Sequence, residues 1–217
     1  MKKQDACKKC GNCCEQGGPA LHERDLGLVR DGKIPISRLI TIRKGELTHN
    51  PISGTIQPAG VELIKIIGKG GRWECCYFDK QRGCTIYANR PQACVLLKCW
   101  DTEDILNLVG KETLDRFDIL VPGDPMIPVI KEHERITPCP DLLYIRDNGS
   151  SLSAQQVKEL EQQVRDDLNF RTKVIRDLNL KLSEELFYFG RPLFQLLQPL
   201  GAIISESQSE VTLRWKM

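Results

Sequence analysis

Cys7, Cys10, Cys13 and Cys14 place four thiols within eight residues, with Gly11 directly after the second. Two C-x-x-C steps in series let a short loop wrap one metal centre, and few other folds make use of such crowding. Six more cysteines follow, at Cys75, Cys76, Cys84, Cys94, Cys99 and Cys139, making ten in 217 residues. Disulfides would suit an exported chain. Residues 1–9, however, are polar and lack the apolar centre of a secretory signal. The adjacent pairs Cys13-Cys14 and Cys75-Cys76 also suit metals better than bridges. Metal ligation is therefore the leading reading, ahead of structural disulfides and inert buried thiols, and the expected location is the cytoplasm.

Composition sets few other limits. The length allows one ordinary domain, or a domain with an appendage, and is enough for a real core. The formal charge of +2 makes no general case for nucleic acid or membrane. No run of about 18 apolar residues is present, so no membrane-spanning helix is expected.

Thiolates select zinc, copper(I) or iron–sulfur clusters among common metals. A zinc site takes four ligands, often from two knuckles, and residues 7–14 and 76–94 can supply them. Cys7, Cys10 and Cys13 also match the first three positions of a bacterial ferredoxin run. The match stops there, because Cys14 comes too soon and the only C-P pair is the remote Cys139-Pro140. Ten thiols can fill two four-cysteine sites with two spare. Neighbours such as Cys13 and Cys14 project differently, which suits a multinuclear or paired site without excluding zinc. His22, His49 and His133 form no ligand-like pair, and His22, eight residues after Cys14, is the best placed of the three. Tyr87 and Arg90 lie between Cys84 and Cys94; Arg90 is either a surface charge over a packed ring or a cation offsetting thiolate charge.

Along the chain, residues 22–30 read as a short helix stopped at Asp31-Gly32, and residues 34–42 as a short strand or extended connection. Residues 61–67 are β-branched and predict a strand. The Gly-rich turn at residues 68–72 then returns the chain into a partner strand at 73–78, bearing the second cysteine pair. That turn lacks the following helix and Ser/Thr of a phosphate loop. Pro91 opens a helix carrying Cys94, and residues 101–117 form an amphipathic helix weakened by Gly110. Residues 118–128 are expected to be extended and 129–133 to form a short strand. From Ser151 the chain changes character. A capping box at Ser153 and Gln156 starts a helix through Leu168, a second helix covers residues 170–182, a third opens near Ser183, and residues 211–217 close as a strand.

The order C-x-x-C-G-x-C-C, then Cys76-Tyr77-Phe78, then C-x-I-Y-x-x-R-P-x-x-C from Cys84 to Cys94 resembles the YkgJ-type cysteine-cluster family, the zinc- or iron-chelating CxxCxxCC domain. The resemblance covers roughly residues 5 to 100. It implies metal or iron–sulfur binding through Cys7, Cys10, Cys13, Cys14, Cys76, Cys84 and Cys94. Cys99 and Cys139 lie outside the core pattern and extend the expected ligand set, while Cys75 stays outside it. A related arrangement occurs in the longer flagellin lysine methylases, but no methyl-donor site is recognisable in this sequence.

The expected architecture is α+β: a small, irregular, metal-centred Cys-rich domain over residues 1–150 and a helical C-terminal extension over 151–217. The expected function is that of a cytoplasmic iron–sulfur protein acting in electron transfer or as an accessory factor. The alternatives are a zinc-stabilised protein-interaction module with a partner on the C-terminal helices or, by family analogy, a protein-modifying enzyme. No nucleic-acid or membrane partner is expected.

Overall fold

The computed structural model describes residue 4 and residues 6–70, 72–206 and 211–215. The fold is α+β, with small two-stranded sheets in the N-terminal half and helices dominating the C-terminal part. After α1 (Asn12–Glu15) come a 3-10 turn at Glu23–Asp25 and α2 (Leu26–Arg30), which stops at Asp31 and Gly32 as the sequence suggests. Strands β1 (Leu39–Ile42) and β4 (Leu63–Ile66) pair antiparallel, with Ile42 opposite Leu63. Between them β2 (Leu47–Asn50) and β3 (Thr55–Pro58) form a hairpin, and β3 is exposed along its whole length.

The partner of residues 63–66 is therefore β1 and not residues 73–78. The chain does fold back through residues 68–72, with Lys69 N–H donating to the Glu74 carbonyl at 2.8 Å. The ladder ends at the single Gly68–Cys75 bridge, because a turn closes there, with Phe78 N–H donating to the Cys75 carbonyl at 2.9 Å. Next come β5 (Phe78–Asp79), β6 (Gly83–Cys84), α3 (Gln92–Leu96), α4 (Glu103–Leu108) and α5 (Arg116–Ile119).

Residues 129–133, expected as a strand, lie inside α6 (Met126–Ile136). Its buried positions Met126, Ile130 and His133 follow helical spacing, and that face outweighs the β-branched residues beside it. Then α7 (Leu142–Asn148) leads to α8 (Ala154–Leu178), one continuous helix where two were expected. Its capping box forms as read: Gln156 N–H donates to Ser153 Oγ at 3.2 Å and Ser153 N–H to Gln156 Oε1 at 2.9 Å. Finally come α9 (Leu182–Phe189), α10 (Leu193–Leu197) and the hairpin of β7 (Ala202–Glu206) with β8 (Val211–Trp215).

Two apolar cores result. The first gathers Leu21, Leu39, Ile64, Phe78, Ile130, Phe187 and Phe189; the second gathers Leu142, Leu160, Val164, Leu193, Leu197 and Leu213. A buried polar seam joins the helices. Asp167 on α8 accepts from His133 Nε2 at 2.7 Å, Arg171 Nε at 2.8 Å and Leu193 N–H at 2.8 Å. Arg171 also donates to the carbonyls of Phe189 and Gly190. Arg116 grips Glu62 and Glu134 and donates to the Tyr188 carbonyl at 2.6 Å. Buried charges need such complete pairing, because desolvation alone would expel them. Among the described residues no helix is long and apolar enough to cross a membrane.

Candidate metal centre

The cysteine loop is shaped by one glycine. Gly11 has φ +88°, a left-handed conformation that other residues adopt only with strain. A side chain there would also collide with a ring, since its Cβ would lie 2.1 Å from Phe78 Cζ. The C-G and C-x-F elements of the motif are thus two halves of one contact: the Gly11 backbone lies on the buried Phe78 ring. From there α1 sends Cys13 and Cys14 off successive positions, with their sulfurs 3.9 Å apart. Upstream, Cys7 Sγ accepts from Lys9 N–H at 3.3 Å.

The second cysteine pair is tied to the first through the backbone, Cys75 N–H donating to the Cys14 carbonyl at 2.8 Å. In the β5–β6 ladder Phe78 faces Cys84, so the residue beneath Gly11 also sets the position of Cys84. Asp79 closes that hairpin by accepting from the N–H groups of Gln81 and Arg82. Helix α3 carries Cys94, with Pro91 just before its first residue. Buried Asp25 anchors its start, accepting from Gln92 N–H at 2.7 Å and from His22 N–H at 2.9 Å. The helix ends at Leu96, so Cys99 leaves it and lies exposed, with Gln4 Nε2 3.7 Å from its sulfur.

These elements surround a cavity of about 1040 Å³. Eight cysteines line it: Cys7, Cys10, Cys13, Cys14, Cys75, Cys84, Cys94 and Cys99. Two predicted ligands are not among them. Cys76 stands behind Cys75, with the charges of Arg38 and Lys69 nearby. Cys139 lies elsewhere, in the second core, where it faces Gly45 and the charges of Arg43, Glu46 and Glu134. Conversely, sequence spacing passed over Cys75. Nothing in an adjacent pair says which member faces inward, and the turn at residues 75–78 decides it.

Among the described residues no three thiol, imidazole or carboxylate groups close on one ion-sized point; the sulfurs stand around the cavity. Burial, and the neighbouring Cys13 after it, push the Cys14 thiol up to about 12. Burial does the same to Cys94, reinforced by Cys75, and raises Cys84. Cys75 runs the other way, down to about 7, because the neighbouring Cys76 side chain favours its charged form. Uncharged thiols are the stable form of such a crowd without a cation, and a bound metal ion reverses that preference. In chemistry the donor set, eight thiols in one cavity, fits a sulfur-seeking metal group.

The histidines are accounted for. His133 is wholly buried in the polar seam, and His49 is exposed on β2. His22 is buried in the cavity lining, which His49 also joins, with His22 Nδ1 2.8 Å from the Lys111 carbonyl. Arg90 lies 3.7 Å from the centre of the Tyr87 ring and donates from Nε to the Tyr87 carbonyl at 3.0 Å; Lys9 Nζ lies 4.3 Å from the same ring. The Arg90 charge reaches Cys84, where it opposes the effect of burial.

No curated protein and no solved structure matches the chain. A family model does match, described as CxxCxxCC, "Putative zinc- or iron-chelating domain", over residues 6–112. That span begins just before the first cysteine of the cavity and ends beyond the last, taking in every sulfur that lines it. Residues 6–112 thus match the CxxCxxCC family of cysteine-cluster domains, as the motifs in the sequence suggest.

Proposed function

We propose that the cavity holds an iron–sulfur cluster and that the protein works in electron transfer or as a cluster-bearing accessory factor. One observation carries this: eight thiols, spread around a cavity instead of gathered at a point, supply more sulfur than a single four-coordinate ion uses. Cys14, Cys75, Cys84 and Cys94 are the inner candidates, and Cys7, Cys10, Cys13 and Cys99 stand at the exposed side. The cluster would supply one-electron chemistry. The chain's own residues do the rest. Gly11 and Phe78 fix the loop, Asp25 ties α3 to the 3-10 turn beside it, and Lys9 and Arg90 place positive charge next to the sulfurs, where it tunes a thiolate group.

Anaerobically purified protein should be brown, absorb broadly near 400 nm and contain iron and sulfide, as thiolate-held clusters do. Colourless protein with stoichiometric zinc would overturn the proposal in favour of a zinc-stabilised interaction module. In that case chelation should unfold the N-terminal half without any redox signal.

A further inference from the structure

The cavity extends well beyond the thiols. It continues along β4 and the β2–β3 hairpin, and Lys65, Trp73 and Arg191 also line it. Among the described residues lining its whole length there is no aspartate or glutamate, although the chain has 29. Five cations line it: Lys8, Lys9, Lys65, Arg90 and Arg191. Lys9 and Arg90 belong to the thiol end, stacked on Tyr87. Arg191 lies instead over Trp73, and its charge acts on Lys65.

Lys65 is half-buried on β4, and its side chain makes no ion pair or hydrogen bond with the described residues. Arg191 is bonded on one edge only. Its Nε and Nη2 both reach Glu46 Oε2, at 3.1 and 2.7 Å, and Glu46 is itself wholly buried. The Nη1 edge donates to none of the described residues. The guanidinium lies 5.4 Å from the centre of the Trp73 ring, and that ring is 55% exposed. Burial disfavours the Lys65 ammonium and the Arg191 charge adds to the penalty, a cost that an anion between the two would remove. The volume is of the size that takes a small organic molecule. A half-buried lysine, a guanidinium edge without a partner and an exposed indole together suit one kind of guest.

We propose that this part of the cavity binds a small organic anion, its carboxylate or phosphate held between Lys65 and Arg191 and its apolar body laid on Trp73. The Glu46 carboxylate holds the Arg191 plane in place, as a preorganised anion site requires. The site puts such a guest in the same cavity as the thiols, but its argument does not depend on which metal they hold.

The test is fluorescence titration of the full chain, as isolated, with anilinonaphthalene sulfonate and with its uncharged analogue phenylnaphthylamine. The sulfonate should bind saturably at one site, and Lys65→Gln should weaken it by about tenfold or more, the size of a lost charge-assisted hydrogen bond. Lys33→Gln, a surface cation elsewhere, should leave it unchanged, and Trp73→Leu should weaken both probes. Far-ultraviolet circular dichroism of each variant checks that it is folded. Competition with benzoate and with phenyl phosphate tells a carboxylate site from a phosphate site, and displacement by either supports the proposal. Equal binding of both probes with Lys65→Gln silent would overturn it. So would displacement by a polyglutamate peptide where benzoate and phenyl phosphate fail, since that would assign the groove to an acidic protein segment.

Discussion

Gly11→Ala is the sharpest single perturbation of the cysteine loop, and its cost has two separable parts. The first is backbone: holding an L-residue at φ +88° costs about 1–2 kcal/mol. The second is steric. The new Cβ would sit 2.1 Å from Phe78 Cζ, 2.4 Å from Cε2 and 3.0 Å from Cε1. The ring is 5% exposed and packed in the first core, so moving it is an overpacking cost of about 1–3 kcal/mol. Gly11→Ala should therefore cost about 2–5 kcal/mol in all. Leucine lacks the ring atoms that make the clash, so in a Phe78→Leu background only the backbone part should remain, about 1–2 kcal/mol. The coupling between the two sites is then about 1–3 kcal/mol. Urea melts of the four proteins measure it, and the metal content of each as purified reports the loop directly. Metal should fall in Gly11→Ala and recover in part in the double variant. An identical cost for Gly11→Ala in both backgrounds would refute the contact as the reason for the glycine.

Other consequences can be checked with the same tools. Cys75→Ser should lose more bound metal than Cys76→Ser, and Cys139→Ser should lose none, by elemental analysis; equal loss in all three would contradict the placement of the sulfurs. Arg116→Ala strands the partly buried carboxylate of Glu62, leaves Glu134 with Arg43 alone, and should cost about 3 kcal/mol in a urea melt. Acid should destabilise the protein through the polar seam. Burial, against the pull of Asp167, holds His133 below its ordinary 6.5. Burial would raise Asp167, but the His133 bond and the Arg171 charge outweigh it and leave the carboxyl low. Both groups thus bind protons less readily folded than unfolded. The stability they contribute is present above about pH 6.5 and declines as pH falls, first as the unfolded histidine protonates and then through the low aspartate. Thermal melts between pH 7 and 4 should show that fall, and Asp167→Asn should change its slope.

Much of the site could be read from the sequence because its chemistry is local. The C-x-x-C-G-x-C-C loop, the C-x-F step and the helix opened by Pro91 are short-range features, and the structure assembles all three around one cavity. Two things could not be read. Which of Cys75 and Cys76 lines the cavity rests on one turn whose direction no spacing encodes. The pairing of Lys65 with Arg191 along the cavity joins residues 126 positions apart by their numbers, 65 and 191. In the fold, α8 looked like two helices for an instructive reason. Its first half buries Leu160 and Val164 in the second core, whereas Val174 enters the first, with Asp167 and Arg171 between. The apolar stripe changes partner midway, and a change of partner mimics a break. Helix α6 was hidden by Val129 and Ile130, whose β-branched side chains favour strands locally while residues 126, 130 and 133 keep helical period.

The carboxylate-free lining has a consequence for the most abundant divalent ions around any protein. Magnesium and calcium demand oxygen ligands, several of them anionic, and give up their hydration shells only for such ligands. The oxygens that the lining does offer, on side chains such as Thr48, Asn50 and Gln57, are uncharged and repay little of that water. Discrimination against hard ions here is achieved by what the lining leaves out, before any thiol has to choose between zinc and iron.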